Sequence, residues 1–152
     1  ISSSIIMATL SPTLTLASTD AFASQELSLS VSDSLTVAAP MADVSRMATN
    51  DEIGNGAGVI LPESTDQYYV YVKHLGILAS DFSTASHASN DFVTLGDVDS
   101  TAGLTVKLQP GEFAFFPIKE GDGSAGSGGD GGVKVTAGSA AVVVEFAYFK
   151  RG

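Results

Sequence analysis

At 152 residues the chain is long enough for one domain with its own hydrophobic core. It has no cysteine, which excludes a disulfide framework, a thiolate metal site and a cysteine nucleophile. Its net charge is −10 with only seven Lys and Arg, too few to neutralise a run of phosphates, so neither nucleic acid nor an anionic membrane is expected as a partner.

Residues 1–20 hold no Lys or Arg, and Ser and Thr interrupt every apolar run. Ala21-Phe22-Ala23 is therefore not expected to close a signal peptide, despite its small-x-small spacing. Met7-Ala8-Thr9 reads as a translation start, which makes residues 1–6 upstream or added sequence. Leu14 and Leu16 alternate with Thr13 and Thr15, so residues 1–24 are expected to form an N-terminal arm carrying one strand.

The remainder, residues 25–152, reads as a single β-sandwich domain. Leu27, Leu29 and Val31 alternate with serines, the pattern of a strand with one buried face. Leu35-Thr36-Val37 follows, and Pro40 ends that run. Residues 43–49 fit a short strand or a helical turn equally well. Asn55-Gly56 marks a turn, and Val59-Ile60-Leu61 is a short apolar strand stopped by Pro62.

Residues 68–74 make the best central strand, with Tyr68, Val70, Val72 and His74 on one face and Tyr69, Tyr71 and Lys73 on the other. Phe92-Val93-Thr94-Leu95 is the next strand. Leu104–108 then alternates, Gln109-Pro110-Gly111-Glu112 turns it, and residues 113–118 are expected to run back beside it. Val133-Lys134-Val135-Thr136 and residues 141–149 complete the set. Short strands at this spacing, with no helical segments between them, predict an all-β fold. The expected form is a jelly-roll-like antiparallel double-sheet sandwich with an extended N-terminal arm.

No motif carries chemistry convincingly. Gly121-Asp122-Gly123-Ser124-Ala125-Gly126 matches G-x-G-x-x-G, but the Gly- and Asp-rich residues after it cannot open the helix that a pyrophosphate needs. Asp97, Asp99, Asp122 and Asp130 do not fit an EF-hand, since the twelfth position from Asp97 is Leu108. A calcium site without a motif stays open. His74 and His87 are the only histidines and lack metal-ligand spacing. Glu145 is expected to face solvent or an intersubunit partner. No catalytic, metal or cofactor-binding residue is assigned.

Aromatic residues crowd three strands, at residues 68–71, 113–116 and 146–149. With Met7-Ala8-Thr9-Leu10, the Leu27–35 run, Tyr69-Val70-Tyr71-Val72-Lys73, Asp91-Phe92-Val93-Thr94-Leu95, residues 108–117 and Val143-Val144-Glu145-Phe146-Ala147-Tyr148-Phe149, the chain resembles small β-rich virion structural proteins of marine tailed bacteriophages. The long Gly-Asp loop and the loop at residues 80–90 depart from that group.

The resemblance implies a non-enzymatic virion component, such as a capsid decoration (cement) protein or a fibre or tail element. It would be assembled in the host cytoplasm and then be extracellular. The implied partners are the major capsid protein or other virion proteins and copies of itself, a trimer foremost. The expected interface residues are Leu14, Leu16, Tyr69, Tyr71, Phe149 and Arg151. The alternative is a fibre or tail component with a carbohydrate-binding sandwich, for which residues 68–71 supply aromatic rings. A hydrolase with a Ser-His-Asp site built on His74 or His87 is the third reading.

Overall fold

The computed structural model describes residues 6–20, 24–39, 43–50, 57–62, 64–86, 90–98, 106–118 and 132–152. Ala21-Phe22-Ala23, Asn55-Gly56, His87, Asp99, Asp122, Asp130 and the G-x-G-x-x-G stretch lie outside them. Among the described residues there is no helix, and the strands are antiparallel throughout. The chain divides into two compact units, Ile1–Pro40 with Arg151–Gly152, and Met41–Lys150.

The first unit is a ribbon. Strands β1 (Ile6–Leu10) and β4 (Leu35–Ala39) pair, as do β2 (Thr13–Ser18) and β3 (Leu27–Ser32). The two ladders share one register, because Leu10 faces Leu35 and Thr13 faces Ser32 with two residues skipped on each leg. Across that gap the Asp33 N–H donates to the Pro12 carbonyl at 3.1 Å. Proline has no N–H to give the ladder, so a break at Ser11-Pro12 is where the sequence puts it. The arm is thus a long hairpin of residues 6–18 against 27–39, and the boundary between units falls after Pro40. Leu27–Ser32 was expected to open the sandwich with a buried face; it is the returning leg of the arm, and Leu29 and Val31 are exposed.

The second unit is the sandwich. One sheet has the order β10 (Phe113–Ile118), β7 (Tyr68–Leu78), β12 (Val142–Lys150), β5 (Ser45–Ala48). The other runs β6 (Val59–Leu61), β11 (Val133–Ala137), β8 (Val93–Gly96), β9 (Val106–Leu108). Among the described strands only the β8–β9 connection stays within its sheet and the others cross, which is the strand order of a jelly roll. Residues 43–49, ambiguous by pattern, contain the edge strand β5.

The core lies between the sheets. Met47, Val70, Val72, Val144 and Phe146 face Ile60, Val93, Leu95, Leu108, Val133 and Val135. Fully burying an aliphatic side chain of this kind stabilises by about 1.5–3 kcal/mol. Gln109–Glu112 forms the expected turn, with the Glu112 N–H on the Gln109 carbonyl at 3.0 Å and Gly111 at φ +88°. Pro110 before a positive-φ glycine is type II turn chemistry. The turn does not make a hairpin, however. It carries the chain from one sheet to the other, since β9 pairs with β8 and β10 with β7. No local signal reports this, because β10 finds its partner β7 some forty residues back in the sequence.

Candidate interaction surface

The pairing register sets which side chains share the outer face of the β10-β7-β12-β5 sheet. Phe113, Phe115 and Pro117 on β10 lie opposite Lys73, Tyr71 and Tyr69 on β7. Across β7, those residues face Glu145, Ala147 and Phe149 on β12, and Glu145 faces Arg46 on β5. Alternate residues of the same strands, such as Val70, Val72, Phe116 and Phe146, enter the core. One sheet face therefore holds five aromatic side chains in adjacent rows.

Two of these rings are in direct contact, and a third is hydrogen-bonded to a neighbouring strand. Tyr69 and Phe115 stack with centroids 6.2 Å apart and planes 14° from parallel. The Tyr71 hydroxyl donates to Glu145 Oε1 at 3.1 Å, and Arg46 Nε reaches Glu145 Oε2 at 3.3 Å. Burial pushes the Tyr71 phenol above the ordinary tyrosine range, and its hydrogen bond to Glu145 and the carboxylate charge push the same way. The Arg46 side chain is largely exposed, so its ion pair adds little stability. Its effect is to hold the carboxylate toward the tyrosine. At the open edge Phe113 is 61 % exposed. Pro117 on this edge strand removes an N–H donor, which discourages unlimited strand addition.

The six expected interface residues fall into separate groups. Tyr69, Tyr71 and Phe149 share the outer sheet face. Leu14 and Leu16 share one face of the arm, with Leu29 and Val31 directly opposite them. Arg151 follows β12 and forms an isolated bridge with Val37 in the first unit. Phe113, Phe115, Arg46 and Leu29 belong to these surfaces but were not among the six. Parity along each strand was readable; the neighbour of each strand was not.

His74 does not sit at a strand end, because β7 continues to Leu78. It is fully buried. Nε2 lies 2.6 Å from the Asp91 carbonyl oxygen, and the Gly76 N–H donates to Nδ1 at 2.9 Å. A carbonyl only accepts, so Nε2 carries the proton. Both ring nitrogens are thus committed to the backbone, and His74 is not offered to a substrate as a base. The need for it is local. Between Val142 and Val144 the register of β12 against β7 shifts opposite Gly76, whose φ is +74°, and the imidazole takes up the N–H there. Among the described residues no group of three or more His, Asp or Glu side chains is placed to hold a metal ion.

No family model, no curated protein and no solved structure matches this chain.

Proposed function

We propose that this protein is a non-enzymatic virion structural component, a capsid decoration or cement protein that binds the capsid lattice and its own copies. The observation that carries the reading is the aromatic outer face of the β10-β7-β12-β5 sheet. Five rings side by side, with Phe113 and Phe115 exposed at the edge, form the kind of amphipathic patch enriched at protein interfaces. The jelly-roll strand order and the sequence resemblance support it, because capsid proteins are among the hosts of this fold. Fold alone does not set function, so the sheet face bears the argument. A trimer is the expected assembly.

The test is co-sedimentation of the purified protein with capsid shells. Binding should be saturable, and Phe113→Asp and Phe115→Asp should each weaken it at least about tenfold, since a charge is then forced into a desolvated contact. A protein that ignores shells at any concentration sinks the decoration reading. The stacked Tyr69–Phe115 pair favours one alternative, a fibre or tail component that lays a sugar ring on that flat platform. A glycan array would then give a hit that is lost in Tyr69→Ala.

A further inference from the structure

Every hydrogen-bonding group of His74 is in use. Its backbone N–H donates to the Glu112 carbonyl at 2.9 Å, and its backbone carbonyl accepts the Gly111 N–H at 2.9 Å. The ring adds Nε2–H to the Asp91 carbonyl at 2.6 Å and takes the Gly76 N–H on Nδ1 at 2.9 Å. One fully buried imidazole therefore ties β7 to the segment that enters β8 in the other sheet. Only the neutral ring can do this. A proton on Nδ1 replaces the acceptor by a donor that meets the Gly76 N–H head on, and it places a charge where no solvent reaches. The segment held this way is short. Gly76 accepts the Ser86 N–H at 3.0 Å and the Leu78 N–H donates to the Thr84 carbonyl at 2.8 Å, so residues 76–86 form a loop closed at its neck. Within it the exposed Phe82 sits at φ +56°, a left-handed conformation that L side chains rarely adopt, so the closed loop carries backbone strain that opening relieves.

We infer that His74 is a proton-sensitive latch: the neutral ring holds residues 76–86 closed, and uptake of one proton opens them. The charged groups around it do not replace the lost bond. From β12 the residue opposite His74 is the apolar Val144, while Glu145 and Lys73 lie on the outer sheet face. The Glu112 carboxylate takes the Gln109 N–H at 2.7 Å, and Lys107 lies 3.8 Å from the centre of the Phe92 ring. The buried Asp91 carboxylate accepts the Ala140 N–H at 3.4 Å; its attraction for an imidazolium still leaves the Gly76 N–H without an acceptor. An open chain binds the proton as a free imidazole does, so the contribution of the latch is whole above the ordinary histidine range and is lost as pH falls. With about 6.5 for a free imidazole, the equilibrium constant for opening rises about tenfold between about pH 7.5 and about pH 5.5, a window that lies above the ordinary carboxylates.

The experiment is hydrogen exchange of the full chain at those two pH values, read by mass spectrometry on peptides covering residues 76–86 and corrected for the intrinsic pH dependence of exchange. His87→Gln is the background, because it leaves His74 as the only imidazole. In it, protection of residues 76–86 should fall about tenfold at the lower pH. His74→Asn keeps an acceptor beside Gly76 that takes no proton, and its protection should be flat across the same window. Asp91→Asn should retain the fall, which assigns it to the imidazole. Equal protection at both pH values in the background protein overturns the inference, as does a fall that persists in His74→Asn or vanishes in Asp91→Asn. If His74→Asn does not fold, the ring nitrogen resonances of the background protein labelled with ¹⁵N at histidine decide in its place. A neutral ring with its proton on Nε2 in the closed form at both pH values supports the latch. An imidazolium in a protein whose residues 76–86 stay protected overturns it.

Discussion

The Tyr71 hydroxyl and Glu145 Oε1 lie 3.1 Å apart on adjacent strands, on the sheet face that also carries Tyr69, Phe113, Phe115 and Phe149. The pair has a readable consequence. Burial first, and then the hydrogen bond and charge of Glu145, hold the phenol above its ordinary value. A folded-state value above the unfolded one means that this group's stabilising contribution is whole below about pH 10 and is lost as pH rises through the folded value. Tyrosinate absorbance titration of the native protein, differenced against Tyr71→Phe, should place Tyr71 above the usual range. Glu145→Gln should lower its midpoint part of the way, because burial, the largest cause, remains. An unshifted Tyr71 in the native protein would mean that the pair does not form.

His74 makes the second prediction. Its ring links the irregular part of β7 to the segment before β8 through Gly76 N–H and the Asp91 carbonyl. Truncation to alanine removes both bonds and leaves a void at a fully buried position. The expected loss is about 3 kcal/mol, combining an unsatisfied donor with cavity formation. Urea denaturation should show the midpoint falling with an unchanged slope. A loss below about 1 kcal/mol would be too small for a ring that satisfies both backbone groups.

How far the pattern of residues foretold this fold differs from element to element. Strand β7 was plain, with Val70 and Val72 inward and Tyr69 and Tyr71 outward, because strict alternation on a central strand names both faces. The same alternation at Leu27, Leu29 and Val31 led to the expectation of a buried face, and that face is bare. Alternation reports that two faces differ and is silent on whether either is covered. Pro110-Gly111 announced a turn and its type, but not that the strands on either side join different sheets. Of the aromatic surface, Tyr69, Tyr71 and Phe149 are among the interface residues expected from the sequence and its resemblance. Phe115 joins them only through the pairing of β10 with β7, a contact between segments some forty residues apart that no local signal encodes.

Gly58 gives the third prediction. Its φ is +78°, and a Cβ there would lie 2.1 Å from the Val135 carbonyl oxygen. Its own carbonyl accepts the Val135 N–H at 2.8 Å, so the two backbones cannot part without losing that bond. Gly111 is also at positive φ, +88°, but a Cβ there would meet nothing within 4 Å. Gly58→Ala should therefore cost about 2–4 kcal/mol, and Gly111→Ala only about 1 kcal/mol from its backbone conformation. Comparing the two denaturation midpoints isolates the steric contribution. Equal losses would show that β11 can retreat from Gly58 freely.

The arm and the sandwich should differ most in hydrogen exchange. Strands β7 and β12 are flanked on both sides by paired strands and close over the buried core. Toward the tip, each leg of the arm is paired on one side only, and much of both its faces is exposed. Opening the tip of the ribbon breaks few buried contacts, so its amides should exchange at least about a hundredfold faster than those of β7 in dilute protein. Exchange from residues 13–18 and 27–32, followed by mass spectrometry of the peptides, measures this directly. Arm protection equal to that of β7 would mean that the ribbon opens only with the whole fold, despite its single-sided pairing and exposed faces.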